Sequence, residues 1–383
     1  MPRPVTILLA SVLKPLDDTR MLGKFARTLA SRPNTEIHVA GRFAPTPTGL
    51  PANLHTHALL DGNRLSLNRL RAQRRYWQLL QEVQPDVVCV HAPELLPLTV
   101  LWRILDPGRR FVYDVRENYA LNIRTQQVYP AWARNTLAAL VRGLETLAAS
   151  RAAGVLLAER SYSAELPFAT PNRTLILENK YQPYTGEDAP KALGHLPATT
   201  EPLRLLYSGT ISELNGVFEA ITFWQQARAV WPAAQLTIVG FCQQPAQLIQ
   251  LWSAIDRAGE GITLLGGNTL VPHARIVEEI NRSHLGLLPY RPHTSTARCI
   301  PTKLFEYMAH GLPVVIPPNP LWQKMIERYK AGICIDFQVL GQYPLSGTEL
   351  AALLQQPFYP AGVPAEAFWK TEAEKLHRFM DSI

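Results

Sequence analysis

The chain has 383 residues, 47% hydrophobic and 18% charged. That is the make-up of a soluble globular protein, too long for one ordinary core, so two domains are expected. Residues 1–182 hold 23 Lys and Arg against 14 Asp and Glu, a net +9, and residues 183–383 hold 15 against 17, a net −2; a basic first half points to an anionic partner, whether a phosphorylated ligand, nucleic acid or an acidic membrane surface.

Cys89, Cys242, Cys299 and Cys334 show no Cys-x-x-Cys and no matching histidine spacing. Neither a disulfide framework nor a zinc site is expected, and a reducing compartment is. No run of 18 apolar residues exists, so no membrane-spanning helix is expected. Arg3 precedes an apolar stretch, but Lys14-Pro15-Leu16-Asp17-Asp18 stands where a signal peptide would carry small residues, and a cytoplasmic location is expected.

In chain order, residues 5–13 are an apolar run of strand length, and 18–31 carry helical spacing at Met21, Phe25 and Leu29. Residues 36–40, 86–90 and 110–113 are further strands, with helical stretches such as 65–83 between them. Near-continuous apolar strands separated by helices predict a parallel sheet covered on both faces. Residues 183–202 are rich in Pro, Gly, Ala and Thr without apolar period and read as an interdomain linker. The pattern then restarts: strand 203–208, helix near 217–230, strands 235–239, 263–265 and 285–289, and a last helix at about 365–380. Two doubly wound domains, 1–182 (with a C-terminal helix at about 370–383) and 203–369, would place ligand crevices at the carboxyl ends of their strands, with a cleft between the domains as the natural site.

Residues 301–315, Pro-Thr-Lys-Leu-Phe-Glu-Tyr-Met-Ala-His-Gly-Leu-Pro-Val-Val, are the most informative stretch. Lys303 and Glu306 share one face of a helix start, where backbone N–H groups and the dipole favour phosphate. A glutamate there can accept two hydrogen bonds from the vicinal diol of a ribose. Half of a nucleotide site is one reading; a surface ion pair on an amphipathic helix closed by Gly311 is the other.

Further residues join this block to a known family. The run Tyr207-Ser208-Gly209-Thr210-Ile211-Ser212-Glu213-Leu214-Asn215-Gly216-Val217 resembles the strand–loop–helix that opens the second domain of retaining GT-B glycosyltransferases. Residues 301–315 are similar to that family's K-x-x-E-x-x-A-x-G-x-P-V signature, and Gly286–Tyr290 to its G-x-x-P-Y strand end. Thr237–Gly240 resembles its x-I-V-G strand. Asp18-Thr19-Arg20, Tyr113-Asp114-Val115-Arg116-Glu117 and Phe368-Trp369-Lys370-Thr371-Glu372 resemble its D-T-R, Y-D-x-H-E and N-W-x-x-E segments.

The resemblance implies a GT-B fold of two Rossmann-like α/β domains. It implies a retaining glycosyltransferase that moves a sugar from a UDP- or GDP-sugar to a glycan or lipid-linked acceptor, without a required metal or cofactor. The pathway would be surface polysaccharide synthesis. Catalysis would rest on stabilising the diphosphate leaving group. Glu306 would hold the ribose; Lys303, Gly209 and Thr210 would lie near the diphosphate, with Gly240 beside them. Three positions depart from the pattern: Arg298 replaces the first Glu of E-x(7)-E, Asn215 replaces a diphosphate lysine, and Arg116 replaces a histidine near the reacting sugar. An arginine cannot accept sugar hydroxyls as a carboxylate does, although the set remains positive. These departures motivate a rival, a non-catalytic GT-B protein that binds a nucleotide or glycan as partner to an active enzyme. A sugar-nucleotide 2-epimerase shares the architecture.

His91 ends a strand and, with Glu94, would orient the acceptor or donor sugar, or is an ordinary loop histidine. Glu117 is an acceptor-side base or a helix N-cap, and Arg20 a donor-phosphate contact. Arg64, Arg69, Arg71, Arg74 and Arg75 lie beside Leu67, Leu70 and Trp77 with no acidic residue between Gly62 and Gln81. A helix there either touches anionic lipid peripherally, on the inner face of the membrane, or exposes solvated arginines. Nucleic acid is not an expected partner, because the basic stretch lacks aromatic interleaving and a known binding motif.

Overall fold

The computed structural model describes residues 3–383 except 62–67, 126–128, 185–186, 188–190 and 295. The chain divides into two compact units, Met1–Gln182 together with Trp369–Ile383, and Pro183–Phe368.

The first unit is built on seven strands: β1 (Val5–Pro15), β2 (Thr35–Arg42), β3 (Leu54–Leu60), β4 (Val87–Val90), β5 (Arg110–Val115), β6 (Gly154–Leu157) and β7 (Thr174–Ile176). They pair in the order β3-β2-β1-β4-β5-β6-β7, all parallel. Every residue of β4 and β6 is buried, as strands covered by helices on both faces must be. Met21, Phe25 and Leu29, the residues whose spacing predicted a helix, are all buried against this sheet.

The second unit has β8 (Arg204–Thr210), β9 (Gln235–Phe241), β10 (Ile262–Gly267), β11 (Leu285–Leu287), β12 (Val314–Ile316) and β13 (Gly332–Cys334). Their order is β10-β9-β8-β11-β12-β13, again all parallel. In each unit the strand order reverses once, between β1 and β4 and between β8 and β11. Ligands of open α/β sheets gather at the carboxyl ends beside such a reversal.

One expectation needs revision, and one stretch with two open readings is now placed. The stretch 183–202 is not a free linker: Leu193 N–H donates to Gly311 O (2.9 Å), Phe358 N–H to Gly194 O (2.8 Å) and the Trp231 indole to Pro197 O (3.2 Å), which binds it to the second unit. The arginine-rich helix, Asn68–Val83, turns its apolar side inward, burying Ala72, Tyr76, Leu79 and Leu80, while Arg71, Arg74 and Arg75 face solvent. Arg75 pairs with Asp61 at 2.6 Å. These arginines are the solvated side of a core-packed helix; Arg64 and Leu67 lie outside the described residues.

The last helix, Lys370–Ser382, belongs to the first unit. Its anchor is Trp369, 0% exposed, whose ring lies 5.6 Å from that of Phe25 and whose indole N–H donates to Thr28 Oγ1 (2.9 Å). Buried Glu372 adds an ion pair with Lys180 (2.6 Å). Trp369→Ala should destabilise the first unit by about 3–5 kcal/mol, the usual cost of emptying a large aromatic site. Hydrogen exchange under rising urea checks this: protection should fall within residues 1–182 and stay unchanged within 203–368.

Candidate functional site

In the second unit, β8 runs into a loop that ends at Gly216, the N-cap of helix Val217–Ala227. Gly216 has φ +78, and a Cβ there would lie 1.8 Å from Pro289 O, so only glycine lets this loop pass the end of β11. Gly240 is equally constrained, since its Cβ would sit 1.7 Å from Gly209 O. Gly240 and its partner Gly209 bring β8 and β9 close together with no Cβ between them. Asn215 Nδ2 donates to Thr210 O (2.9 Å) and Tyr207 Oη to the same carbonyl (2.9 Å), which fixes the loop.

Helix Thr302–Ala309 lies against this loop. Tyr307 is fully buried and its hydroxyl meets Ser208 N (3.0 Å) and Ser208 Oγ (2.8 Å), tying helix to strand. The Lys303 chain passes Gly209, coming within 3.8 Å of where its Cβ would be. Glu306, one turn on, accepts from Lys303 Nζ and from His273 Nε2. The other ring nitrogen of His273 meets the Tyr184 hydroxyl. Burial pushes the Glu306 carboxyl up, but the Lys303 charge and the His273 hydrogen bond outweigh it and hold the group at about 2. Glu306 is therefore an ionised, oriented acceptor with lone pairs to spare, since a carboxylate accepts about four bonds. Arg298 stands exposed in the loop before the helix.

The first unit gathers a second cluster at the carboxyl ends of its strands. Asp114, at the end of β5, is wholly buried and accepts from Arg20 Nε (2.9 Å), Arg20 Nη2 (2.6 Å) and His91 Nδ1 (2.7 Å). Arg20 Nη1 donates to Leu177 O (2.9 Å), just beyond β7. Burial raises the Asp114 carboxyl, but Arg20 and His91 hold it well below the carboxylate range. Burial also lowers His91, more than Asp114 raises it, so the imidazole is neutral at pH 7. With Nδ1 donating to a carboxylate, Nε2 is the bare lone pair; it is buried and makes no hydrogen bond. Arg116 makes a two-pronged pair with Asp18 (2.8 and 3.0 Å). Glu117 takes Lys14 Nζ (3.2 Å) and Asn122 Nδ2 (3.0 Å). Glu94 is raised by burial, and its Oε1 is buried without a partner.

Two sequence expectations change here. Arg20 is not a donor-phosphate contact: it has no exposed surface and its guanidinium is bonded to Asp114 and Leu177. His91 likewise has no exposed surface, and its partners are Asp114 and the edge-on ring of Phe25, 5.2 Å away. The helix N-cap near Glu117 is supplied by Asn118, whose Oδ1 accepts from Leu121 N (3.2 Å). Gly209, Thr210, Asn215, Gly240, Lys303 and Glu306 do come together, at the ends of β8 and β9 and the start of helix Thr302–Ala309. His273 and Tyr184 were missed. They stand 33 and 122 residues before Glu306 in the chain, and no local pattern marks either.

Comparison with known proteins bears on this geometry. Residues 202–339 match the family model described as Glycosyl transferases group 1. The whole chain superimposes on solved structures. Sucrose-phosphate synthase from Thermosynechococcus elongatus aligns with 99% of this chain and 98% of its own at a TM-score of 0.62 and 13% identity. The fold is GT-B. WaaG, a glycosyltransferase of lipopolysaccharide biosynthesis, aligns at a TM-score of 0.58 and 15% identity over 99% of this chain and 96% of its own. The HepE protein of Anabaena, in complex with UDP and glucose, also gives 0.58 and 15%, over 99% and 100%. A search of curated protein sequences gives no match. The stretch that matches this family model contains Gly209, Gly240, Lys303 and Glu306.

Two outcomes are expected. Asp114→Asn should cost about 3–5 kcal/mol, because it strands a buried guanidinium, while Arg20→Met with Asp114→Leu should recover part of that loss, the buried His91 Nδ1 donor being left unmet; urea unfolding of the three proteins checks both. Glu306, held below its ordinary 4.5, releases its proton more readily in the folded chain than in the unfolded one. Its contribution of about 3 kcal/mol is complete well above pH 4.5 and fades as the pH falls towards 2, about 2 kcal/mol being gone by pH 3. The stability gap between the wild type and Glu306→Gln should narrow accordingly in unfolding curves at pH 7, 4 and 3.

Proposed function

We propose that the protein transfers a sugar from a nucleoside-diphosphate sugar, UDP- or GDP-linked, to a glycan or lipid-linked acceptor, with retention of configuration and without a required metal, in surface polysaccharide synthesis. The observation that carries this reading is the ionised, oriented Glu306 beside Lys303 and the Gly209–Gly240 approach of β8 and β9. Glu306 accepts the two ribose hydroxyls on its remaining lone pairs. Lys303 and the backbone N–H groups near Gly209 and Thr210 meet the diphosphate, whose charge grows as the glycosyl bond breaks. Asn215, in place of a cation, orients the loop through Thr210. Arg116, already neutralised by Asp18, shapes the first unit's edge, and Arg298 is the exposed cation that meets donor phosphate or sugar. His91 and Arg20 act through Asp114, which sets the strand ends on which Glu117 and Glu94 face the acceptor.

A membrane-borne acceptor is supported by helix Ala131–Ala149. Its exposed residues are Ala131, Trp132, Asn135, Thr136, Ala139, Leu140, Gly143, Thr146 and Leu147, with Trp132 86% exposed, and its one acidic residue, Glu145, is buried. An exposed face that mixes large apolar residues with uncharged polar ones and carries no carboxylate, on a unit of net positive charge, suits an anionic bilayer surface. Among the described residues no helix is long and apolar enough to cross a membrane, so attachment would be peripheral.

Calorimetry with UDP-, GDP- and ADP-sugars, without added metal, tests the donor. One class should bind, and Glu306→Ala should weaken it at least about thirtyfold, as loss of two bonds to a charged acceptor implies; no binding by any donor sinks the reading. Binding without transfer or hydrolysis would identify a non-catalytic nucleotide-binding partner protein instead. Flotation with vesicles of phosphatidylglycerol and phosphatidylcholine tests attachment: Trp132→Ser with Leu140→Ser should abolish it, and unchanged flotation would dismiss this helix as the anchor.

A further inference from the structure

Both oxygens of the Glu306 carboxylate are engaged before any ligand arrives, Oε2 by Lys303 Nζ and Oε1 by His273 Nε2. The two partners differ in freedom. His273 opens helix His273–Arg282 and shares a face with Val277 and Ile280, both buried, so the helix start fixes its direction. The Tyr184 hydroxyl holds the imidazole from its other side, at Nδ1, with the two rings 5.4 Å apart. Burial, with Glu306 and Glu187 near, pushes the Tyr184 phenol up to about 12, so it keeps its proton at neutral pH. Donation from that phenol to Nδ1 leaves the imidazole proton on Nε2, aimed at Glu306. Lys303 is the opposite case: a flexible stem with three rotatable donors, passing beside Gly209.

We propose that His273, held by Tyr184, is a positioning residue that keeps Glu306 partnered while the Lys303 ammonium turns from that carboxylate to the diphosphate of the nucleotide. This hand-over rests on the nucleotide-sugar reading of the site and adds a division of labour to it. A buried carboxylate with a single cationic partner holds that cation tightly, because releasing it strands an unpaired charge. A diphosphate arriving beside Gly209 would then compete with Glu306 for one ammonium, and would bind weakly. A second hydrogen-bond donor on the carboxylate changes the balance. With His273 on Oε1, Glu306 stays ionised and oriented towards the ribose as Lys303 turns. The empty site thus parks the lysine on Glu306, and the loaded site spends it on phosphate.

The affinity ratio between a nucleoside diphosphate and its bare nucleoside tests this, with UDP against uridine and GDP against guanosine as the probes. Calorimetry measures the diphosphates and saturation-transfer NMR the nucleosides. Lys303→Met should lower the wild-type ratio at least about tenfold, as loss of one bond between charged groups implies. His273→Leu should lower it at least about fivefold, yet leave it unchanged in the Lys303→Met background, where the cation it serves is gone. His273→Gln presents an amide donor at the same reach and should return the ratio to within about threefold of the wild type. Tyr184→Phe should lower it by less than His273→Leu does. A ratio that His273→Leu leaves unchanged, even if both affinities fall together, overturns the proposal, since that is the mark of a merely structural residue. An effect of His273→Leu that persists in full without Lys303 overturns it too. In both cases the nucleotide reading stands; if no probe binds the wild type, both fall.

Discussion

A buried carboxylate organises the first unit. Asp114 ends β5 and gathers two guanidinium bonds from the loop after β1 and one imidazole bond from the end of β4, while the same guanidinium reaches past β7. Four strand ends are thereby held by one group of charges with no access to water. Desolvating such ions is expensive, and a hydrophobic substitute would often be as stable. What apolar side chains would not do is fix the direction of an imidazole and the spacing of strand ends to within a hydrogen bond. The carboxyl edge of this sheet is defined by that geometry.

The second unit repeats the device with other residues. Glu306 is a buried carboxylate held ionised by a cation, Lys303, and a histidine, His273, as Asp114 is by Arg20 and His91. The difference lies in what surrounds the cation. Arg20 is fully enclosed, so its charge is wholly spent inside the protein, whereas Lys303 retains some exposure beside the glycine loop. The first arrangement serves shape. The second leaves charge at a place where a phosphate oxygen can approach.

Much of this was legible in the sequence, and the reasons for the rest are physical. Strands buried on both faces announce themselves as apolar runs, so β1, β4, β8 and β9 were apparent. The edge strand β3, Leu-His-Thr-His-Ala-Leu-Leu, was not, because an edge needs no continuous apolar face. Strands of three residues such as β7 and β13 are too short for any period. Lys303 and Glu306 were found because a helix start places them together. His273, Asp114 with Arg20, and Asp18 with Arg116 are pairings across 33, 94 and 98 residues, which only the folded sheet creates. The same limit hides where the net charge lies: Arg20, Arg116 and Lys14 each have a carboxylate partner that composition cannot assign, so the excess of positive charge is carried at other positions.

The closing helix carries one more consequence. Trp369 and the residues after it complete the first unit, although the entire second unit is made before them. On a ribosome, domains generally fold as they emerge, the N-terminal one first. Here the ring that packs on Phe25 reaches residues 1–182 only after residues 183–368, which can fold on their own contacts, have been synthesised. The first unit is thus completed only after the second has been made, with residues 369–383 as its fastener.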